Sequence, residues 1–226
     1  MKILLASSNP HKLEEIRSTL EACRVAEGDS TPRIELVLLD DVGMTVPEPN
    51  EDGATFEDNA VIKAYYYAAA AGMMCLADDS GLEVDALGGE PGVRSARYSG
   101  MSGPRSVVDP ANNRLLLERL ADAPPEKRTA RFVCAMALCG PRDAANDIET
   151  IAVVRGTIEG RILTCEEAGP DARGRGENGF GYDPLFYVPS LGKTTAELSP
   201  AEKNAISHRG NATRLMWLRL REMMLV

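Results

Sequence analysis

Two rhythms of apolar and polar positions alternate along this chain. Lys2 to Ala6 is a short apolar run with the length of a buried strand. Ser8-Asn9-Pro10 follows, with Asn9 suited to a helix N-cap and Pro10 to the first helical position. Leu13, Ile16 and Leu20 then recur on one helical face. A second helix is predicted to open at Thr55, where Asp58 three residues on completes a capping-box pattern, and to end at Gly72. Met73 to Ala77 reads as another buried strand, and Asp109-Pro110 as the opening of a third helix through Leu120. Arg131 to Leu138, Ile148 to Arg155 and Thr157 to Leu163 read as successive strands, and Ser199-Pro200 with Glu202 starts a final helical region. Arg24 to Arg33, Ala121 to Arg128, Gly140 to Asp147 and Glu166 to Asn178 are polar and read as loops. Strands interleaved with helices predict an α/β fold on a mixed sheet, its later strands antiparallel.

Composition narrows the function. At 226 residues, 44% apolar and 26% charged, the chain suits one globular domain, or two lobes sharing a core, spanning residues 1–226. No apolar run reaches the roughly 18 residues of a membrane span, and the apolar opening is too short for a signal peptide. The expectation is a cytoplasmic protein with no membrane partner. Five cysteines, an odd number without CxxC spacing, point to reduced thiols rather than disulfides or zinc. With two histidines, any metal would be a hard ion on carboxylates. A net charge of −9 disfavours binding to a nucleic-acid backbone, but a local cluster of Lys and Arg can still hold a small phosphorylated ligand.

Five segments are candidates for chemistry. Ser7-Ser8-Asn9-Pro10-His11-Lys12 lies where a strand hands over to a helix; free N–H groups there and the charge of Lys12 suit phosphate, although plain helix capping needs the same residues. Asp78-Asp79-Ser80-Gly81 follows an apolar run, which places two acids at the C-terminal end of a strand, where open α/β sheets bind ligands. Their repulsion would be relieved by Mg²⁺, while a type I turn would account for the same spacing. Glu51, in an acidic loop before the second helix, is a further carboxylate. In Asn178 to Pro184, glycines flank Phe180 so that a flat ligand could approach its ring, and Asp183 can accept hydrogen bonds from a base edge. In Glu202 to Gly210, Lys203 can neutralise phosphate, and His208 and Arg209 are donors for a base oxygen; a charged helix face is the competing reading.

Taken in order, these segments resemble the inosine triphosphate pyrophosphatase family (dITP/XTP pyrophosphatases). The resemblance rests on Ser7-x-Asn9-x-x-Lys12, Thr55-Phe56 to Lys63-Ala64, Ala77-Asp78-Asp79-Ser80-Gly81-Leu82, Leu87-Gly88-Gly89, Pro91-Gly92-Val93 and Ser95 to Gly100. It continues through Gly179-Phe180-Gly181-Tyr182-Asp183-Pro184 and Ala196-Glu197-Leu198 to Ser207-His208-Arg209-Gly210, nearly end to end. It implies a two-lobed α/β structure around a long twisted mixed sheet, flanked by helices, with the site in the cleft between lobes. It also implies a homodimer and an Mg²⁺-dependent hydrolase. Asp79 would be the general base and a metal ligand, Glu51 a second ligand and Asp78 a helper. Ser7, Ser8, Asn9, Pro10, His11 and Lys12 would bind phosphate, Ser80 would be a further contact, and Phe180, Gly181, Tyr182 and Asp183 would bind the base. Lys203, His208 and Arg209 would complete the substrate contacts. Ser8, His11, Arg94, Asn178 and the long charged loop before Asn178 depart from the usual pattern.

The activity this implies is hydrolysis of aberrant purine nucleoside triphosphates (ITP, dITP, XTP) to the monophosphate and pyrophosphate. Donors from His208 and Arg209 would meet an oxygen at C6, where an adenine amino group would place donor against donor. Competing readings are a pyrophosphatase of related fold acting on other bases and a nucleotide-binding protein without turnover. The acid pair with Glu51 argues against the second, because binding alone needs no water-activating carboxylate.

Overall fold

The computed structural model describes residues 1–7, 10–28, 33–142 and 147–224, with the backbone alone at Pro10 and His11. The strands are β1 (Lys2–Leu5), β2 (Glu35–Val37), β3 (Cys75–Val84), β4 (Thr129–Pro141), β5 (Ile148–Ile162), β6 (Phe186–Val188) and β7 (Lys193–Thr194). The α-helices are α1 (Pro10–Ala26), α2 (Phe56–Ala71), α3 (Arg105–Arg119), α4 (Cys165–Ala168), α5 (Pro200–Ile206) and α6 (His208–Met224). The strands form one mixed sheet in the order β2-β1-β3-β4-β5-β6-β7. β1 runs parallel to β2 and β3, whereas β5, β6 and β7 are joined antiparallel. Among the described residues no helix is long and apolar enough to cross a membrane.

The chain divides into two compact units. Unit 1 comprises Met1–Asp79, Cys134–Gly156 and His208–Val226; unit 2 comprises Ser80–Val133 and Thr157–Ser207. Within unit 1, Ile3 and Leu5 of β1, Leu76 of β3 and Met136 of β4 pack with Ile16 and Leu20 of α1 and with Met216 and Trp217 of α6. Within unit 2, Leu82 and Val84 pack with Leu116 and Leu120, Phe132, Ile162, Tyr182 and Phe186.

Local signals set α2. The Thr55 side chain accepts from the Asp58 N–H, the Asp58 carboxylate accepts from the Thr55 N–H, and Gly72 closes the helix at φ 61°.

Three expectations on element boundaries are corrected, and one is refined. β3 does not stop at Ala77 but runs through the acid pair to Val84, because Leu82 and Val84 are buried core positions that carry the strand past the apparent turn. The third helix begins at Arg105, before Asp109-Pro110. Its first turn is closed by N–H groups of Val107 and Val108 on the Pro104 carbonyl, and Pro110, inside the helix, has no N–H to give the Ser106 carbonyl one turn before it. The two strands predicted on either side of Gly156 are one strand, β5. A Cβ at Gly156 would meet the backbone of Ala212 and His208, so this glycine serves close packing of α6 and not a break. The final helical region is two helices, separated by Ser207 in extended conformation.

Candidate active site

In unit 1 the site starts where β1 ends. Leu4 and Leu5 pair with Cys75 and Leu76, and the Ala6 N–H donates to the Leu76 carbonyl over 2.9 Å. The chain then turns at Ser7, whose N–H bonds the Leu5 carbonyl, and α1 begins at Pro10. β3 therefore outruns its parallel neighbour, and Asp78 and Asp79 lie just beyond that neighbour's carboxyl end. The acids are mid-strand, yet they occupy the edge that the parallel pair leaves open. Ser80 is the next residue of β3 and the first of unit 2. Ser8 and Asn9 lie outside the described residues, and Pro10 and His11 are placed only as the opening of α1.

Asp78 is surrounded by cations. Lys12 Nζ lies 3.1 Å from Oδ1 and 3.0 Å from Oδ2. Arg209 Nη2 and Nε lie 3.3 and 3.4 Å from Oδ2, and the Cys134 thiol contributes a 4.0 Å contact. Burial alone would push this carboxyl up; the charges of Lys12, Arg209 and Lys63 override it and hold the group well below the usual carboxylate range. With both oxygens on cations, Asp78 holds Lys12 in place. Arg209 is engaged by two carboxylates. Its guanidinium is buried, with Nη1 2.6 Å from Glu15 Oε2 and Nη2 on Asp78. Burial would depress its pKa, but Asp78 and Glu15 raise it. His208, the first residue of α6, is also buried.

Asp79 and Glu51 are brought together by two residues that the sequence reading passed over. Lys63 Nζ lies 3.0 Å from Glu51 Oε1 and donates to the Asp78 carbonyl over 3.2 Å. Asn59 Nδ2 donates to Asp79 Oδ2 over 3.0 Å. The Asp79 carboxyl is pushed up, chiefly by burial; the Asn59 bond and Lys63 pull it down, while Glu51 and Asp78 push it further up. A signal for both residues exists: Asn59 and Lys63 are polar at i, i+4 on the same stripe of α2 as buried Ala60, Ala64 and Tyr67.

In unit 2 the predicted aromatic segment is a tightly braced loop. Asp183 is buried, and its carboxylate accepts from the Phe180 N–H at 2.8 Å, Thr195 Oγ1 at 2.8 Å and Lys203 Nζ at 2.6 Å. Asp183 therefore shapes the loop and holds Lys203. The Tyr182 hydroxyl donates to the Ser95 carbonyl inside the core. Gly181 is held from both sides, its N–H on Asp109 Oδ2 and its carbonyl on Asn113 Nδ2. What the brace presents is Phe180, 37% exposed, with the Arg105 guanidinium 4.4 Å and the Lys203 ammonium 5.5 Å from its ring centre. Arg105, Asp109 and Asn113, all on α3, have no role in the sequence pattern because their partners, Phe180 and Gly181, lie far along the chain.

The donors in unit 1 fit a hard divalent cation. Among the described residues no three His, Cys, Asp or Glu side chains form a ready-made cage. Glu51 and Asp79 are both oxygen donors, and Lys63 acts on both carboxylates. Magnesium is commonly held by one or two carboxylates, with waters and substrate phosphates completing its shell.

Comparison with known proteins places these features in context. A model of the Ham1 family matches residues 3–218. A dITP/XTP pyrophosphatase of Exiguobacterium sibiricum is 48% identical over 212 residues, which cover 94% of this chain and 93% of that protein. One from Frankia alni is 46% identical and covers 99% of both. Among solved structures, the Ham1 protein of Staphylococcus aureus is similar with a TM-score of 0.77 at 37% identity, covering 99% of this chain and 100% of that one.

Proposed function

The chain belongs to the Ham1 family, and on that premise we propose that it hydrolyses aberrant purine nucleoside triphosphates (ITP, dITP and XTP) to the monophosphate and pyrophosphate. The observation that carries the reading is the setting of Asp79: a buried carboxylate whose pKa is pushed up, aimed by Asn59, with Glu51 and Lys63 acting on it.

Glu51 and Asp79 would hold Mg²⁺, which when bound supplies a Lewis acid that polarises a phosphoryl oxygen. Asp79 accepts the proton of the attacking water, and the phosphoanhydride bond between monophosphate and pyrophosphate breaks. Lys12, set by Asp78, offsets negative charge on the phosphates. Phe180 offers a ring face for the base, a contact worth about 1–3 kcal/mol, and Lys203 brings a positive charge beside it. A homodimer in the cytoplasm, as implied by the family likeness, belongs to the same proposal.

Product analysis from ITP tests the reaction. IMP with pyrophosphate is the expected result; IDP with orthophosphate would mean a different enzyme. ITP and XTP should be hydrolysed far faster than ATP, and equal rates with ATP and ITP would defeat the base preference.

A further inference from the structure

α2 braces two segments of unit 1 with two side chains one turn apart. Lys63 joins Glu51 to the backbone of Asp78. One turn earlier, Asn59 Oδ1 accepts the Gly53 N–H at 2.8 Å while Nδ2 donates to Asp79 Oδ2 at 3.0 Å. Asn59 is 2% exposed. Its amide has one sensible orientation. Gly53 presents a donor, so the oxygen must face the loop, and the NH₂ must then face Asp79.

The loop is built to come this close. A Cβ at Gly53 would lie 2.6 Å from Asp58 Cβ and 2.7 Å from Asn59 Oδ1. The capping box of Thr55 and Asp58 fixes the start of α2, and with it the height at which Asn59 emerges. A buried asparagine needing only satisfaction could bond to any nearby backbone groups. This one spans from the loop after Glu51 to the acid on β3.

We propose that Asn59 is a positioning residue: it fixes Oδ2, and so the plane, of the Asp79 carboxylate, and ties that orientation to the loop that carries Glu51. The inference rests on the hydrolase reading above. A misplacement of about 1 Å at such a group costs on the order of 100-fold in rate.

The test compares wild type with Asn59→Asp, which keeps an oxygen for the Gly53 N–H but loses the amide donor, at a pH of about 8 where ordinary carboxylates are ionised. With ITP and Mg²⁺, kcat should fall about 100-fold while KM stays within about threefold. Calorimetric binding of a non-hydrolysable ITP analogue should be unchanged. Asn59→Ser, too short to reach both partners, should show the same split and serves if the first variant does not fold. A kcat within about threefold of wild type in either folded variant, or a loss of kcat matched by an equal loss of analogue binding, overturns the positioning role alone. A wild type that leaves ITP intact overturns the hydrolase reading and this inference together.

Discussion

Arg209 and Asp78 form an ion pair at 3.3 Å between side chains that are 4% and 1% exposed. Charges so far from water are tolerated because they alternate: Glu15, Arg209, Asp78 and Lys12 follow one another with contacts of 2.6, 3.3 and 3.0 Å. Removing Arg209 takes from buried Asp78 one of its two cations and from Glu15 its partner. Arg209→Met should therefore destabilise the protein by about 3–5 kcal/mol. Arg219→Ala, which breaks the exposed pair with Glu222, should cost less than about 1 kcal/mol. Urea unfolding of both variants measures the difference; similar midpoints would show that the buried chain of charges is not a unit.

Gly156 yields a packing prediction. Because a side chain there would press on the backbone of α6 at Ala212 and His208, and a helix backbone cannot swing aside as a side chain can, Gly156→Ala should cost about 1–3 kcal/mol or more. β5 is extended at this position, so the loss would not come from a forbidden φ. A thermal midpoint equal to wild type would mean that α6 has room to move.

Acid should weaken the Glu167 clamp. Arg161 bonds both carboxylate oxygens at 2.6 and 2.7 Å, and the Thr164 N–H adds a third contact at 2.8 Å. The Arg161 bonds above all hold Glu167 down to about 2, against 4.5 for an ordinary glutamate. A carboxyl depressed on folding stabilises above its unfolded pKa and loses that contribution as pH falls through the folded one. The stability gap between wild type and Glu167→Gln should be constant at neutral pH and shrink from about pH 4.5 toward about pH 2. A gap unchanged at about pH 3 would rule this out.

The sequence disclosed what is local and hid what is distant. The ends of α2 were readable because Thr55, Asp58 and Gly72 act within a turn of themselves. The mixed sheet was readable from the spacing of apolar runs, and the antiparallel joining of β5, β6 and β7 agrees. Asp78-Asp79-Ser80-Gly81 looked like a turn because nothing nearby in sequence says that Leu82 and Val84 have core partners. The engagements of Arg209 and Asp183 were invisible for a related reason. A side chain rich in donors or acceptors looks available for a ligand until the fold supplies its partner, and Arg209 meets Asp78 across 131 residues of chain. Asn59 and Lys63 were within reach, as two polar residues on an otherwise apolar helical stripe.

Asp79 should show the trade between stability and activity. Burial pushes its carboxyl up, so keeping it ionised at neutral pH costs folding free energy. Asp79→Asn keeps the shape, removes that charge and relieves its repulsion with Glu51 and Asp78. The variant should unfold at the same temperature as wild type or a higher one. It cannot take a proton from water, so kcat should fall by about 10²–10⁴-fold, the range for loss of a general base. Asp78→Asn should behave in the opposite sense, because its charge is compensated by Lys12 and Arg209 and its neutralisation takes from both cations the carboxylate they share, leaving buried Arg209 with Glu15; a clear drop in unfolding temperature is expected. Differential scanning calorimetry with ITP turnover on both variants separates the two acids. If Asp79→Asn proves the less stable variant, or retains near-normal turnover, the division of labour between the neighbouring carboxylates is wrong.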